Sequence, residues 1–178
     1  MAKRKVKVSV ERQVKTYAEL RHASRVMLFK AEQNKEASFY QFMASLIFTA
    51  FMMEAYLNHI GPRIFQCWSD LEPLPPLSKL NLVAEKLGVE KDEGKRPYQT
   101  LSKLFKFRKS LAHGKSESLN YDEIRLVAEP FDEYKRESLE TEWEKYCTKD
   151  NTKRALEDTE TIIKDIHNHA GVSDDALF

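Results

Sequence analysis

The segment SFYQFMASLIFTAFMMEAYLNHI, residues 38–60, is the most apolar part of the chain and decides the predicted fold. Between Phe42 and Leu57 it is apolar almost all the way round a helical projection, which is the pattern of a buried helix. Gly61 and Pro62 follow directly and predict the end of that helix. The sequence therefore predicts a central helix with the rest of the chain packed around it.

Amphipathic periodicity predicts the helices that surround this central one. Their predicted ranges are 11–34, with a start between 11 and 16, and then 77–87, 97–113, 135–147 and 151–170. Asn151 is the predicted N-cap of the last helix, whose predicted core stripe consists of Ala155, Thr159, Ile162, Ile163, Ile166 and Ala170. Only IRLVA, residues 124–128, resembles a strand, and glycine and proline are scarce. The predicted fold is an all-α bundle of five or six helices with an up-and-down core. The predicted organisation is a basic arm at residues 1–10, a helical domain at 11–170 and a frayed tail at 171–178.

Composition bounds the class of protein. The 178 residues and the 42% apolar content suit one domain with its own core. The longest apolar run, residues 46–57, is interrupted by Thr49 and Glu54 and is shorter than the roughly 20 residues that a membrane span requires. The basic N-terminus does not lead into the apolar stretch of a signal peptide. Cys67 and Cys147 lie far apart, so we expect two reduced thiols in a cytoplasmic protein.

The net charge of +1 is unevenly distributed along the chain. Residues 1–121 carry 21 Lys or Arg and 12 Asp or Glu, whereas residues 122–178 carry 8 bases and 16 acids. One interpretation is a mixed surface that ends in an acidic segment. The other is a basic face that meets polyanions, with the acidic part of the chain held away from it.

The most basic predicted helix contains the segment LSKLFKFRKSLAHGK, residues 101–115. Its predicted core stripe consists of Leu101, Leu104, Phe105, Leu111 and Ala112. Pro97 suits the first turn, and Gly114 suits the left-handed residue that commonly ends a helix. From Lys95 to Lys115 there are seven Lys or Arg and no Asp or Glu. This helix is therefore the predicted centre of the basic face.

Arg108 and His113 lie close to the end of this basic helix. Five residues correspond to about 140° of helical rotation, so the two side chains do not share one stripe. Convergence of the two side chains on one substrate group remains an alternative, because the arginine side chain is long and His113 lies where the helix ends. The alternative is a plain basic surface helix whose C-terminal histidine is favoured by the helix dipole.

Glu54 is the one acidic residue within the apolar central helix. Burial of an unpaired carboxylate is costly, so a cationic partner is expected. On one interpretation, Glu54 lies at the rim of the bundle or pairs with a base to hold the bundle together. On the other, it is a carboxylate that orients Arg108.

No metal or cofactor site is predicted. His167 and His169 are two residues apart, whereas a helical metal-binding pair is usually four apart, so we interpret them as a solvated pair near the C-terminus. The sequence contains no Gly-rich phosphate loop, no nucleophile elbow and no paired-cysteine motif.

Two segments resemble the HEPN superfamily of helical-bundle nucleases and nucleotide-binding modules. RKSLAH, residues 108–113, matches that family's Arg-x4–6-His motif at the end of a bundle helix. FTAFMMEAYLNHIG, residues 48–61, is similar to the family's acid-containing apolar helix. The resemblance covers residues 14–115, and it extends over 116–178 only as further bundle helices. The chain departs from the pattern at Lys109, where catalytic members usually have Asn, Asp or His.

The resemblance implies a metal-independent endoribonuclease in which the ribose 2′-OH attacks the adjacent phosphate. Histidine suits proton transfer near neutral pH, and arginine suits a dianionic transition state because its planar fork matches phosphate oxygens. Arg108 and His113 are thus the predicted catalytic residues. Four lysines are predicted to hold the RNA backbone without reading sequence: Lys103, Lys106, Lys109 and Lys115.

The family resemblance further implies a homodimer that brings two motif helices together. Its implied partners are RNA and, in a toxin or defence role, an antitoxin or a small nucleotidyltransferase. Two other hypotheses remain open at this point. One is a non-catalytic HEPN module that binds nucleotide, RNA or a protein, with Lys109 marking lost catalysis. The other is a helical interaction protein in which the spacing of Arg108 and His113 is accidental.

Overall fold

The computed structural model describes residues 7–120, 139–172 and 177. Across these residues the fold is an all-α bundle with no strand, as the sequence predicts. Its helices are α1 (Thr16–Gln33), α2 (Ser38–Ile64), α3 (Trp68–Leu71), α4 (Pro76–Leu87), α5 (Tyr98–Ala112), α6 (Glu142–Tyr146) and α7 (Lys149–His169). Two of the seven are short: α3, which was not predicted as a helix, and α6, which lies within the helix predicted at 135–147.

Helix α2 is the central element, because it packs against α1, α4, α5 and α7. Its fully buried apolar residues are Leu46, Ala50, Met52, Met53, Tyr56, Leu57 and Ile60. One side of α2 nevertheless reaches solvent. Phe51 is 38% exposed, and Phe48, three residues before it on the same face, is half-buried. The predicted central position is confirmed, but the helix is not covered over its whole circumference.

The predicted end of α2 at Gly61 and Pro62 is wrong, since the helix continues to Ile64. The ring of Trp68 lies against Gly61 where a side chain would project, so only glycine admits this contact. Pro62 costs one backbone hydrogen bond, because it has no N–H to donate to the preceding turn. The last turn survives that loss through packing against Trp68, which is buried, and through the Phe65 N–H donating to the Gly61 carbonyl oxygen at 2.9 Å.

Helix α5 has nearly the predicted bounds, with Pro97 at its N-cap and His113 at its C-cap. Gly114 does not adopt the predicted left-handed conformation, because the helix ends at His113 with φ −121° and ψ 19°. Ala112, predicted to face the core, is exposed, and Phe107 is buried in its place. The core-facing stripe therefore turns toward Phe107 near the helix end, where the side chain contacts Tyr146 at a centroid distance of 5.4 Å.

The two C-terminal helices begin at other positions than those predicted. Residues 135–138 lie outside the described residues, and the chain from 139 to 141 is not helical before α6. The Thr141 hydroxyl accepts from the Glu144 N–H, and the Glu144 carboxylate accepts in return from the Thr141 N–H, which is a capping box. Helix α7 begins at Lys149 because Thr148, not the predicted Asn151, supplies the cap.

Helix α7 closes the bundle with the predicted apolar stripe. Its buried members include Ala155, Thr159, Ile162, Ile163 and Ile166. The chain leaves the helix at Gly171, which has a left-handed φ of 64°. Leu177 packs against the core, whereas the strand-like segment at 124–128 and most of the basic arm lie outside the described residues. No helix within the described ranges is both long and apolar enough to cross a membrane.

Candidate functional site

Arg108 lies near the end of α5, on the side that faces α2. Its Nη2 atom is 3.6 Å from Oε2 of Glu54, and the two side chains are 32% and 27% exposed. Glu54 is therefore neither deeply buried nor unpaired, and it contacts the predicted catalytic arginine directly. Both interpretations of Glu54 agree with this geometry, because the same ion pair links α2 to α5 and restrains the guanidinium.

Phe51 forms the apolar support of the same guanidinium. The Cζ atom of Arg108 lies 5.6 Å from the centroid of the Phe51 ring, within the range of a cation–π contact. Phe51 precedes Glu54 by three residues on α2, so both project from one face of that helix. Arg108 is thus held by a carboxylate and a ring while part of it stays open to solvent.

Lys79 is a third charged residue beside Glu54, and the sequence did not single it out. Its side chain is 1% exposed, and its Nζ atom lies 3.6 Å from Oε1 of Glu54. The ammonium donates to Oδ1 of Asn58 at 2.9 Å and to the carbonyl oxygen of Glu72 at 3.2 Å. The sequence signal that could have found it is the polar pair Glu54 and Asn58, four residues apart on the predicted central helix.

His113 has a different setting from Arg108. It is the C-cap residue of α5, its side chain is exposed, and its backbone N–H donates to the Lys109 carbonyl oxygen at 3.0 Å. Within one chain, Arg108 is turned toward α2 and the imidazole of His113 is open to solvent. This agrees with the expectation that the two residues do not share one stripe.

The predicted phosphate-contacting lysines are all on the surface. Lys103, Lys106 and Lys109 are exposed on α5 at a spacing of three residues, and Lys115 is exposed in the segment that follows. Helix α5 contains no acidic residue that would offset these charges. The end of α5 therefore presents four exposed ammonium groups beside one restrained guanidinium.

The described residues hold no group of His, Cys, Asp and Glu that is suited to a metal ion. The interpretation of His167 and His169 as a solvated pair is wrong for the first of them. His167 is 8% exposed and lies 6.5 Å from the Tyr56 ring between centroids, because its position in α7 faces the core. His169 is exposed and lies 3.3 Å from a carboxylate oxygen of Asp165.

A groove in the described part of the protein lies elsewhere, between the segment before α5 and α7. It has a volume of about 380 Å³, and its charged lining residues are Glu90, Asp92, Arg96 and Asp165. Three carboxylates against one guanidinium make this groove unsuited to a polyanion. The candidate site is instead the exposed surface at the end of α5.

No family model, curated protein or solved structure matches this chain.

Proposed function

We propose that this protein is a metal-independent endoribonuclease of the HEPN type, with Arg108 and His113 as its catalytic residues. The observation that carries the proposal is the setting of Arg108. It is a partly exposed guanidinium that Glu54 and Phe51 restrain, on a helix that also carries exposed lysines and ends at an exposed histidine. A restrained arginine stabilises developing phosphate charge without reorganising during the reaction.

The proposed reaction breaks one phosphodiester bond without added water. The ribose 2′-oxygen attacks phosphorus, and the bond from phosphorus to the 5′-oxygen of the next nucleotide breaks. A neutral imidazole of His113 accepts the 2′-OH proton, and a protonated imidazole donates to the departing 5′-oxygen. Arg108 binds the non-bridging oxygens, on which negative charge increases. The products are a 2′,3′-cyclic phosphate and a free 5′-OH.

We further propose a homodimer, because one His113 cannot accept and donate a proton in the same step. Phe51 and Phe48 support this assembly, since they leave an apolar edge on α2 immediately beside Arg108. Light scattering at micromolar concentration should give twice the mass of one chain. Phe51→Glu should give a monomer, whereas Phe29→Glu, at another exposed aromatic residue, should remain dimeric. A wild-type monomer would overturn the dimer proposal.

A toxin or defence role in the cytoplasm fits this activity, with an antitoxin or a small nucleotidyltransferase as the neutralising partner. A second candidate function is a non-catalytic HEPN module that binds RNA, nucleotide or protein. It is favoured by Lys109, which replaces the family's usual Asn, Asp or His, and by the ion pair that Arg108 already makes with Glu54.

An RNA-cleavage assay in EDTA separates the two candidates. Wild type should cleave total RNA in the presence of the chelator. His113→Ala should reduce the rate at least about 100-fold, the typical contribution of a general acid or base. His22→Ala is the matched control, since His22 is an exposed histidine on α1. If wild type cleaves no RNA, including RNA from its own host, the non-catalytic module becomes the better proposal. If His113→Ala cleaves as well as wild type, another residue is the acid–base group.

A further inference from the structure

Lys79 is the most deeply buried charged side chain near the candidate site. It is 1% exposed, on the side of α4 that packs into the core beside Leu80 and Val83. A lysine is almost never fully buried unless it is paired, because its ammonium loses its hydration. An apolar side chain would fill the same space without the cost of desolvating an ammonium group. The burial of Lys79 therefore indicates an interaction that requires its charge.

The surroundings of Lys79 match the three donors of an ammonium group. Two of the donors have hydrogen-bond acceptors, Oδ1 of Asn58 and the carbonyl oxygen of Glu72. The third oxygen nearby is Oε1 of Glu54, at 3.6 Å. The oxygens of Asn58 and Glu54 belong to one face of α2. Lys79 therefore links α4 to the same face of α2 that Arg108 contacts.

Glu54 is shared between two cations. One of its oxygens faces Lys79, and the other faces Arg108, each at 3.6 Å. Two positive charges and one negative charge leave the cluster with a surplus of one positive charge. Lys79 is buried and Arg108 is about one-third exposed, so the surplus can meet a solvent anion only through Arg108.

We propose that Lys79 is a positioning residue that compensates the charge of Glu54 and so keeps the guanidinium of Arg108 available to a phosphate group. Without the ammonium, Glu54 and Arg108 would form a neutral pair, and the carboxylate would compete directly with phosphate. With it, Glu54 orients the arginine while Lys79 offsets its negative charge. Asn58 and the Glu72 carbonyl oxygen hold the ammonium in place. The inference deepens the proposed function, since the phosphate would be that of RNA, but its test measures binding and not cleavage.

The test is a double-mutant cycle on the full-length protein, with a 2′-O-methyl RNA oligonucleotide as the probe. This oligonucleotide carries the phosphates of RNA but lacks the 2′-OH nucleophile, so fluorescence anisotropy reports binding alone. Lys79→Met should weaken binding about tenfold, since it leaves Glu54 free to neutralise Arg108. Glu54→Gln removes the carboxylate and supplies the second background, in which no negative charge competes with phosphate for Arg108. In the Glu54→Gln background, Lys79→Met should change the affinity less than about twofold, because no carboxylate remains to be offset.

The cycle distinguishes charge compensation from a merely structural role. If Lys79 only supported the fold, its loss would weaken binding equally in the wild-type and in the Glu54→Gln backgrounds, and such additivity overturns the proposal. Arg108→Ala is the matched background in which Lys79→Met should have no further effect on binding. If Lys79→Met still weakens binding in the Arg108→Ala background, the proposal is overturned. It is also overturned if wild type binds the oligonucleotide no better than Arg108→Ala does.

A second variant keeps the test valid if Lys79→Met does not fold. Asn58→Asp is nearly isosteric and adds a negative charge 2.9 Å from the ammonium without removing the buried lysine. It cancels the surplus charge, so it should weaken oligonucleotide binding and reduce the shift that inorganic phosphate produces in the Arg108 Nε–H NMR signal. Unchanged affinity and unchanged phosphate shift in Asn58→Asp overturn the proposal. If the double-mutant cycle gives the expected affinities but wild type cleaves no RNA, the role of Lys79 in phosphate binding is supported and only the nuclease function is rejected.

Discussion

Arg96 and Asp158 form a two-point ion pair that anchors the start of α5 to α7. The Nε atom of Arg96 donates to Oδ2 of Asp158 at 2.9 Å, and Nη2 donates to Oδ1 at 2.8 Å. Asp158 is buried, whereas the side chain of Arg96 is 53% exposed. The hydrogen bonds to Asp158 raise the pKa of Arg96 above its usual value. The pair therefore fixes one end of the helix whose other end carries Arg108 and His113.

The two partners of this pair should differ in their effect on stability. Arg96→Met leaves the buried carboxylate of Asp158 without its cation, so it should lower the free energy of unfolding by the larger amount. Asp158→Asn leaves a half-exposed guanidinium that water can solvate, so it should lower the free energy of unfolding by less. Urea denaturation measures both. Arg12→Met, at an exposed arginine before α1, is the control and should change stability by less than about 0.5 kcal/mol. The opposite order of the two variants would contradict the prediction.

Arg108 should tolerate no substitution in the cleavage reaction. Arg108→Ala should abolish RNA cleavage, and Arg108→Lys should recover little, because lysine keeps the charge but loses the planar fork that matches two phosphate oxygens. Circular dichroism should show that both variants keep the helical fold. The wild-type products, analysed by mass spectrometry, should end in a 2′,3′-cyclic phosphate. Full activity of Arg108→Lys would mean that a point charge is sufficient there.

The lysines of α5 should contribute to affinity through phosphate contacts. Lys103→Glu with Lys106→Glu should weaken RNA binding and flatten its dependence on salt, because each lost phosphate contact removes counterion release. The melting temperature should barely change, since both side chains are exposed. Lys30→Glu with Lys35→Glu makes the same change in net charge near the C-terminal end of α1 and is the matched control. Equal binding by the two double variants would exclude a specific role for α5.

The two cysteines should differ sharply in reactivity. Burial raises the pKa of Cys147 to about 12, whereas Cys67 is exposed. Since the thiolate is the nucleophile, iodoacetamide at pH 8 should alkylate Cys67 at least about 100-fold faster than Cys147. Mass spectrometry of the wild type and of Cys67→Ser measures the two rates. Equal rates in the folded protein, before any urea is added, would contradict the burial of Cys147.

The same thiol should make stability fall in alkaline solution. The folded state holds the Cys147 proton more tightly than the unfolded chain, whose thiol titrates near about 8.5. The unfolded state therefore releases its proton first, and the free energy of unfolding should decline as the pH rises above that value. Tyr146, whose pKa burial raises to about 12, acts in the same direction at higher pH. A Cys147→Ala variant should show a smaller decline between pH 8 and 10, measured by urea denaturation, and an equal decline would contradict the prediction.

The fold class and most helix positions follow from the sequence alone, because apolar periodicity and terminal residues act locally. The apolar segment at 38–60 marks α2, and the left-handed glycines Gly88 and Gly171 mark the ends of α4 and α7. The positions of Arg108 and His113 near the end of α5 also followed from the sequence, because the predicted end of that helix is local. The expectation that Glu54 needs a cation came from the cost of burying a charge, and two cations are there.

Only the tertiary structure decided which side chains meet. The extra turn of α2 after Gly61 depends on the ring of Trp68, which packs from outside the helix. Lys79 looks like an ordinary surface lysine in sequence, because nothing local indicates that its helix turns it into the core against Asn58 and Glu54. Periodicity reports which face of a helix is apolar, but not which face of another helix lies opposite. That pairing is set by packing among distant segments, and it is what brings Lys79, Glu54 and Arg108 into one cluster.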